Sequence, residues 1–133
     1  MWNILISSYA SWGYSADALE LFEQMQSKGM KPTTTTAVYG LKACKSLDRK
    51  YQGLCIHALI IESGFETNVF IGSALVGMYG EWGCLKDVSI VFQRIPEVDI
   101  VTWTTLMSSY MNLGYCVEAL YAFQSMREVG LEP

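Results

Sequence analysis

A chain of 133 residues is long enough to bury one core, and its 51% apolar and 17% charged content excludes a disordered segment. Its longest apolar runs, such as Ala58 to Ile61, fall far short of the roughly 20 residues a membrane helix needs, and no secretory signal opens the chain. The formal charge of −4 runs against tight binding to a polyanion, whose affinity comes from Lys and Arg displacing counterions; only Lys42, Lys45, Arg49 and Lys50 cluster.

Helical pattern begins at Trp2, with no Arg- and Ser-rich transit segment before it. Leu5, Ile6 and Tyr9 recur at helical spacing, and Gly13 ends the run. Ser15 and Asp17 suit the start of a second helix, the first as a short oxygen for free amides, the second as a carboxylate at the positive end of the dipole. Ala18, Leu19, Phe22 and Met25 make its apolar face, and Gly29 and Pro32 stop it. Small Ala18 opposite large Phe22 predicts that the two helices pack closely.

The pattern then recurs. Leu41, Ala43 and Cys44 take the places of Ile6, Ser8 and Tyr9, and His57, Ile60, Gly64 and Phe65 those of Phe22, Met25, Gly29 and Met30. Leu75, Val76, Tyr79 and Gly83 repeat the first-helix pattern, followed by Phe92 and Ile95 in a shorter second half without the closing Gly-apolar-x-Pro. Last, Trp103, Leu106, Ser109, Tyr110, Gly114, Ala119, Leu120, Phe123, Met126, Gly130 and Pro133 repeat Trp2, Leu5, Ser8, Tyr9, Gly13, Ala18, Leu19, Phe22, Met25, Gly29 and Pro32 without a gap. That shift of about 101 residues is three periods of the 34-residue class, giving units at 1–33, 34–68, 69–99 and 100–133. No unit can bury its stripe alone, so the predicted fold is all-α, an α-solenoid of about four helix-turn-helix repeats with Trp103, Tyr110 and Phe123 in its core.

Catalytic patterns are missing. Cys44, Cys55, Cys84 and Cys116 form no C-x-x-C pair, and with the lone His57 they offer no zinc spacing. They read as buried or half-buried thiols in a reducing compartment. There is no phosphate-binding glycine loop and no G-x-S-x-G, and Cys55 and His57, two residues apart, lie on different sides of a helix. The expectation is a protein without enzymatic activity, cofactor or metal.

Thr102-Trp103-Thr104-Thr105-Leu106, then Glu118-Ala119-Leu120 with Phe123, Met126, Gly130 and Pro133, resembles the pentatricopeptide repeat. The stretch from Ile56 to Phe65, followed by Ala74-Leu75-Val76-Gly77-Met78-Tyr79, is similar to the long and short variants of the plant subclass that mixes three repeat types, in the order standard, long, short, standard. The tetratricopeptide repeat shares the Gly-Ala-Phe register but keeps one constant period. Nothing resembles the C-terminal extension of longer relatives, and no His-x-Glu with a later Pro-Cys-x-x-Cys marks their deaminase domain.

The resemblance implies that first helices line a concave surface and that each standard repeat reads one base of single-stranded RNA. A polar residue early in the first helix and the last residue of the repeat meet the base edge, while an apolar residue at the helix start stacks between bases. Carried over, the reading pairs are Asn3 with Thr33 (pyrimidine), Val38 with Asn68 (no reading, since valine has neither donor nor acceptor), and Ser73 with Asp99 (purine, G favoured). Thr104 is again purine-like, its partner position following Pro133. Thr35, Phe70 and Val101 fall at the stacking positions, Thr35 being a poor wedge.

The family likeness also implies mitochondria or chloroplasts and protein partners such as organellar editing factors. Three functions stay open: a sequence-biased, weak RNA-binding module; a helical-repeat scaffold for proteins; and a truncated fragment with weak or no independent function, whose uncapped ends favour self-association. Taken one at a time, Asn3, Ser73 and Thr104 read as helix caps or solvated positions, and their recurrence at one phase favours a lined surface; the Lys42 to Lys50 cluster reads equally as a solvated turn or a phosphate contact.

Overall fold

The computed structural model describes residues 2–130, which hold eight α-helices and no strand. They are α1 (Trp2–Ser11), α2 (Ser15–Ser27), α3 (Thr34–Leu47), α4 (Lys50–Ser63), α5 (Val69–Glu81), α6 (Leu85–Arg94), α7 (Ile100–Asn112) and α8 (Cys116–Glu128). The chain divides into two compact units, Met1–Phe65 with α1 to α4 and Glu66–Pro133 with α5 to α8. Pro133, part of the repeat pattern, lies outside the described residues.

Each turn within a helix pair is built by the backbone. After α1, the Gly13 N–H donates to Ala10 O at 3.2 Å and the Tyr14 N–H to Tyr9 O at 2.8 Å, a Schellman closure that needs the left-handed φ of 87° at Gly13. After α3 the same closure is made by Asp48 at φ 55°, with Arg49 N–H reaching Cys44 O at 2.9 Å; a short polar side chain tolerates this region better than most. Helix α6 stops differently. Ile95 is extended, and Pro96 follows it, so the third pair closes without the left-handed turn.

Ser15 does not cap α2, contrary to the sequence expectation. The N-cap is Tyr14, already held by its bond to Tyr9, and it makes no side-chain cap bond. Arg49, Cys84 and Tyr115 stand likewise before α4, α6 and α8. Side-chain caps occur instead on α3, α5 and α7, where the chain enters a helix from an extended linker.

In the first unit Ile6, Leu19, Phe22 and Met25 meet Ala37, Leu41, Cys44, Ile56 and Ile60 as fully buried residues. Gly40 lets α3 approach: a Cβ there would lie 3.2 Å from Ile56 Cδ1 and 3.4 Å from the Phe22 ring. In the second unit Ile71, Leu75, Val76, Met78, Val88, Val91, Ile95 and Leu106 form the core, with α5 packed on both α6 and α7. Gly80 sits against Ser109, where an added Cβ would fall 2.8 Å from Ser109 Cβ, so α5 and α7 touch almost backbone to side chain.

Several apolar expectations need correction. Trp103 is buried and its ring packs edge-on to Phe92 at 4.7 Å, but Tyr110 and Phe123 are only half-buried. Leu5 and Tyr9 are exposed, leaving Ile6 as the buried member of the α1 stripe. Of the thiols, Cys44 is buried and Cys84 half-buried, while Cys55 and Cys116 are exposed.

Candidate nucleic-acid interface

One register recurs at the start of three first helices. Thr33, Asn68 and Asp99 are the N-caps of α3, α5 and α7, each with extended backbone. Two residues on stand Thr35, Phe70 and Val101; three further on stand Val38, Ser73 and Thr104. Residues three apart on a helix are neighbours on one face, so each stacking candidate adjoins its reading candidate. Asn3 holds the register of Thr104 in the ungapped alignment of α1 with α7.

The cap alternative raised for Asn3, Ser73 and Thr104 is thereby displaced. None of them caps a helix; the repeat-closing residues do. Asn68 Oδ1 accepts the Phe70 and Ile71 amides at 2.9 and 3.1 Å. Asp99 Oδ1 accepts the Thr102 amide at 2.9 Å and the Thr102 hydroxyl at 2.6 Å. Thr33 and Thr36 form a reciprocal capping box.

Phe70 is 69% exposed and Val101 59%, so neither contributes to the core. Thr35 is exposed, as is Thr104, whose hydroxyl bonds back to Ile100 O at 2.7 Å. Asn3, Val38 and Ser73 are half-buried. Asn3 is engaged from α3: the Thr36 hydroxyl donates to its side-chain carbonyl.

Thr36 and Thr102 were not singled out from sequence. Both are fully buried, three residues after a cap, and both hydroxyls bond to candidate reading residues. The signal was present as Thr33-x-x-Thr36 and Asp99-x-x-Thr102, an oxygen followed three residues later by a side chain able to reach back.

Lys42, Lys45, Arg49 and Lys50 are all exposed, and none has an ion-pair partner among the described residues. Residues 34–68 hold four basic and three acidic side chains, an excess found in none of the other units. Lys42 and Lys45 continue the face of Thr35 and Val38, since steps of three, four and three residues keep all four within about 80° on a helix. Among the described residues no group of three or more His, Cys, Asp or Glu could hold a metal, and no helix is long and apolar enough to cross a membrane.

The family model of the PPR repeat matches residues 1–30 and 101–131. Three Arabidopsis thaliana pentatricopeptide repeat-containing proteins, one named chloroplastic and one mitochondrial, are 42%, 38% and 35% identical over 99% of this chain. The chain spans only 19%, 25% and 21% of their lengths. The crystal structure of the maize pentatricopeptide repeat protein PPR10 superposes with a TM-score of 0.65 at 20% identity, covering 99% of this chain and 19% of that one. That likeness establishes the fold class, an all-α helical-repeat solenoid. Matched repeats in the first and last units, and alignment along nearly its whole length to proteins named for them, make this chain similar to pentatricopeptide repeat-containing proteins.

Proposed function

We propose that the chain binds single-stranded RNA, with the leading turns of its first helices facing the bases, as a sequence-biased module of a longer organellar RNA-processing or editing-site recognition factor. The observation that carries this reading is the placement of Phe70 and Val101. Both are large, apolar and exposed, at the same phase of successive first helices, each three residues before a hydroxyl side chain. An apolar wedge beside a polar reader is what a stacked and hydrogen-bonded base requires, and such stacking contributes about 1–3 kcal/mol per base.

Asn3 with Thr33 takes a pyrimidine. Ser73 with Asp99 takes a purine: one Asp99 oxygen is occupied by Thr102, and the other, an acceptor only, suits the donor-rich edge of guanine. Val38 reads nothing, and its unit contributes charge through Lys42 and Lys45. The repeats, divided at 33, 68 and 99, follow the standard, long, short, standard order. Organellar location follows from relatives named chloroplastic and mitochondrial.

With a net charge of −4, binding is micromolar or weaker and falls steeply with salt. Fluorescence anisotropy with short single-stranded RNAs at low salt tests the proposal. Binding that responds to single-base changes supports it; no binding to any of them, with native helical circular dichroism, overturns it.

A further inference from the structure

A hydrogen-bond chain in the first unit links the two residues of one reading pair through a third that belongs to the next repeat. The Thr36 hydroxyl, fully buried, donates to Asn3 Oδ1, 33 positions away in sequence. The Thr33 amide donates to Thr36 Oγ1 at 3.3 Å, the two threonine oxygens lie 3.0 Å apart, and the Thr36 amide donates to Thr33 Oγ1 at 3.4 Å. A hydroxyl has one proton and two lone pairs. With the Thr36 proton directed at Asn3, the proton between the threonines comes from Thr33. Thr33 then keeps one free lone pair, and Asn3 keeps its NH2 group.

We propose that Thr36 is a specificity-determining residue: it fixes the Asn3 amide so that the first repeat presents a donor at Asn3 Nδ2 and an acceptor at Thr33 Oγ1. This rests on the RNA-binding reading above. A free asparagine amide turns by half a rotation and offers either end, so it accepts base edges of opposite polarity. A pinned one accepts only an edge that brings an acceptor to Asn3 and a donor to Thr33.

The fourth unit explains why the arrangement depends on a threonine cap. There the cap is Asp99, a carboxylate and so an acceptor, and the Thr102 hydroxyl donates to it at 2.6 Å. That proton is committed, and Ser73 receives no bond from Thr102. Only a cap that can itself donate releases the following threonine to reach across to the preceding helix.

The test compares wild type with Thr36→Val, which lacks the hydroxyl, and Thr36→Ser, which keeps it, using short single-stranded RNAs that span the roughly one base per repeat the units would read and differ at one position. Wild type and Thr36→Ser hold the same preference among the four bases, and Thr36→Val compresses it about five-fold, the worth of one net hydrogen bond. An unchanged preference in folded Thr36→Val overturns the proposal. Should that variant fail to fold, Asn3→Asp decides: it retains an oxygen for Thr36 but has no donor, and a preference like wild type overturns the proposal equally. If wild type binds no RNA, the functional reading falls, and the pinning is read separately from the Asn3 side-chain amide signals by NMR. Thr36→Val shifts them and Thr36→Ser does not; signals unmoved in Thr36→Val refute it.

Discussion

Replacing Asp99 by alanine strikes two partners at once. It removes the acceptor of the Thr102 amide at 2.9 Å and of the Thr102 hydroxyl at 2.6 Å. Loss of an N-cap costs about 1 kcal/mol. Thr102 is fully buried, and a buried hydroxyl left without an acceptor costs about 1–3 kcal/mol more. The expected destabilisation is about 2–4 kcal/mol, a large part of the roughly 5–15 kcal/mol typical of a domain. Thr102→Val alone loses a bond to a charged group, about 1.5–3 kcal/mol. In the Asp99→Ala background the same change removes the orphaned hydroxyl and restores stability. Urea unfolding of the four proteins, followed by circular dichroism, is expected to give a favourable coupling of about 2 kcal/mol or more. A coupling below about 0.5 kcal/mol would refute the reasoning. Asp99→Asn keeps a capping oxygen, so it separates the two roles: stability stays within about 0.5 kcal/mol while the base preference of the third unit moves.

Phe22, buried against Gly40 of α3, and Phe70, exposed, make an opposite pair. Phe22→Ala is expected to cost about 3–5 kcal/mol and to unfold residues 1–65, seen as loss of amide protection there. Phe70→Ala is expected to leave melting unchanged and to weaken RNA binding about ten-fold. Lys42→Ala with Lys45→Ala is expected to lower the slope of log affinity against log salt by about 1.4, equally for every RNA sequence, measured by anisotropy titrations across salt. Burial raises the Cys44 thiol from 9.0 to about 12 and the Tyr79 hydroxyl from 10.0 to about 12. Both groups hold their protons more tightly when folded, so stability is full below pH 9 and falls as pH rises from there towards 12, measurable by urea midpoint against pH. At pH 8 an alkylating reagent is expected to modify exposed Cys55 and Cys116 and to spare Cys44 in the folded chain, as read by mass spectrometry.

The helix pairs were legible because their causes are local. Ala18, Leu19, Phe22 and Met25 announce an apolar helical face at their own spacing, and Gly13 and Gly114 announce the left-handed closure after α1 and α7. The early end of α6 was legible in the missing glycine, which leaves Ile95 extended before Pro96. The phase of the candidate interface positions was legible, because Phe70 and Val101 stand at one offset from Asn68 and Asp99. The assignment of polar roles was less so. Ser15 has the chemistry of a cap, yet Tyr14 occupies that position because the Schellman bond to Tyr9 puts it there. Asn3, Ser73 and Thr104 resembled caps, but the linker geometry gives that task to Thr33, Asn68 and Asp99.

Sequence by itself determined the secondary structure, the repeat and the register in which candidate readers recur, because spacing, capping oxygens and left-handed glycines act within a few residues. Tertiary structure alone decided which of these residues are buried and which bond to one another. Leu19 and Leu120 are the same residue in the same register, yet one is 4% exposed and the other 64%, because α3 packs on α2 and no described helix takes the corresponding place on α8. The link from Thr36 to Asn3 is of the same kind: a hydroxyl proton is committed by whichever oxygen lies nearest in space, and that oxygen is 33 residues away along the chain.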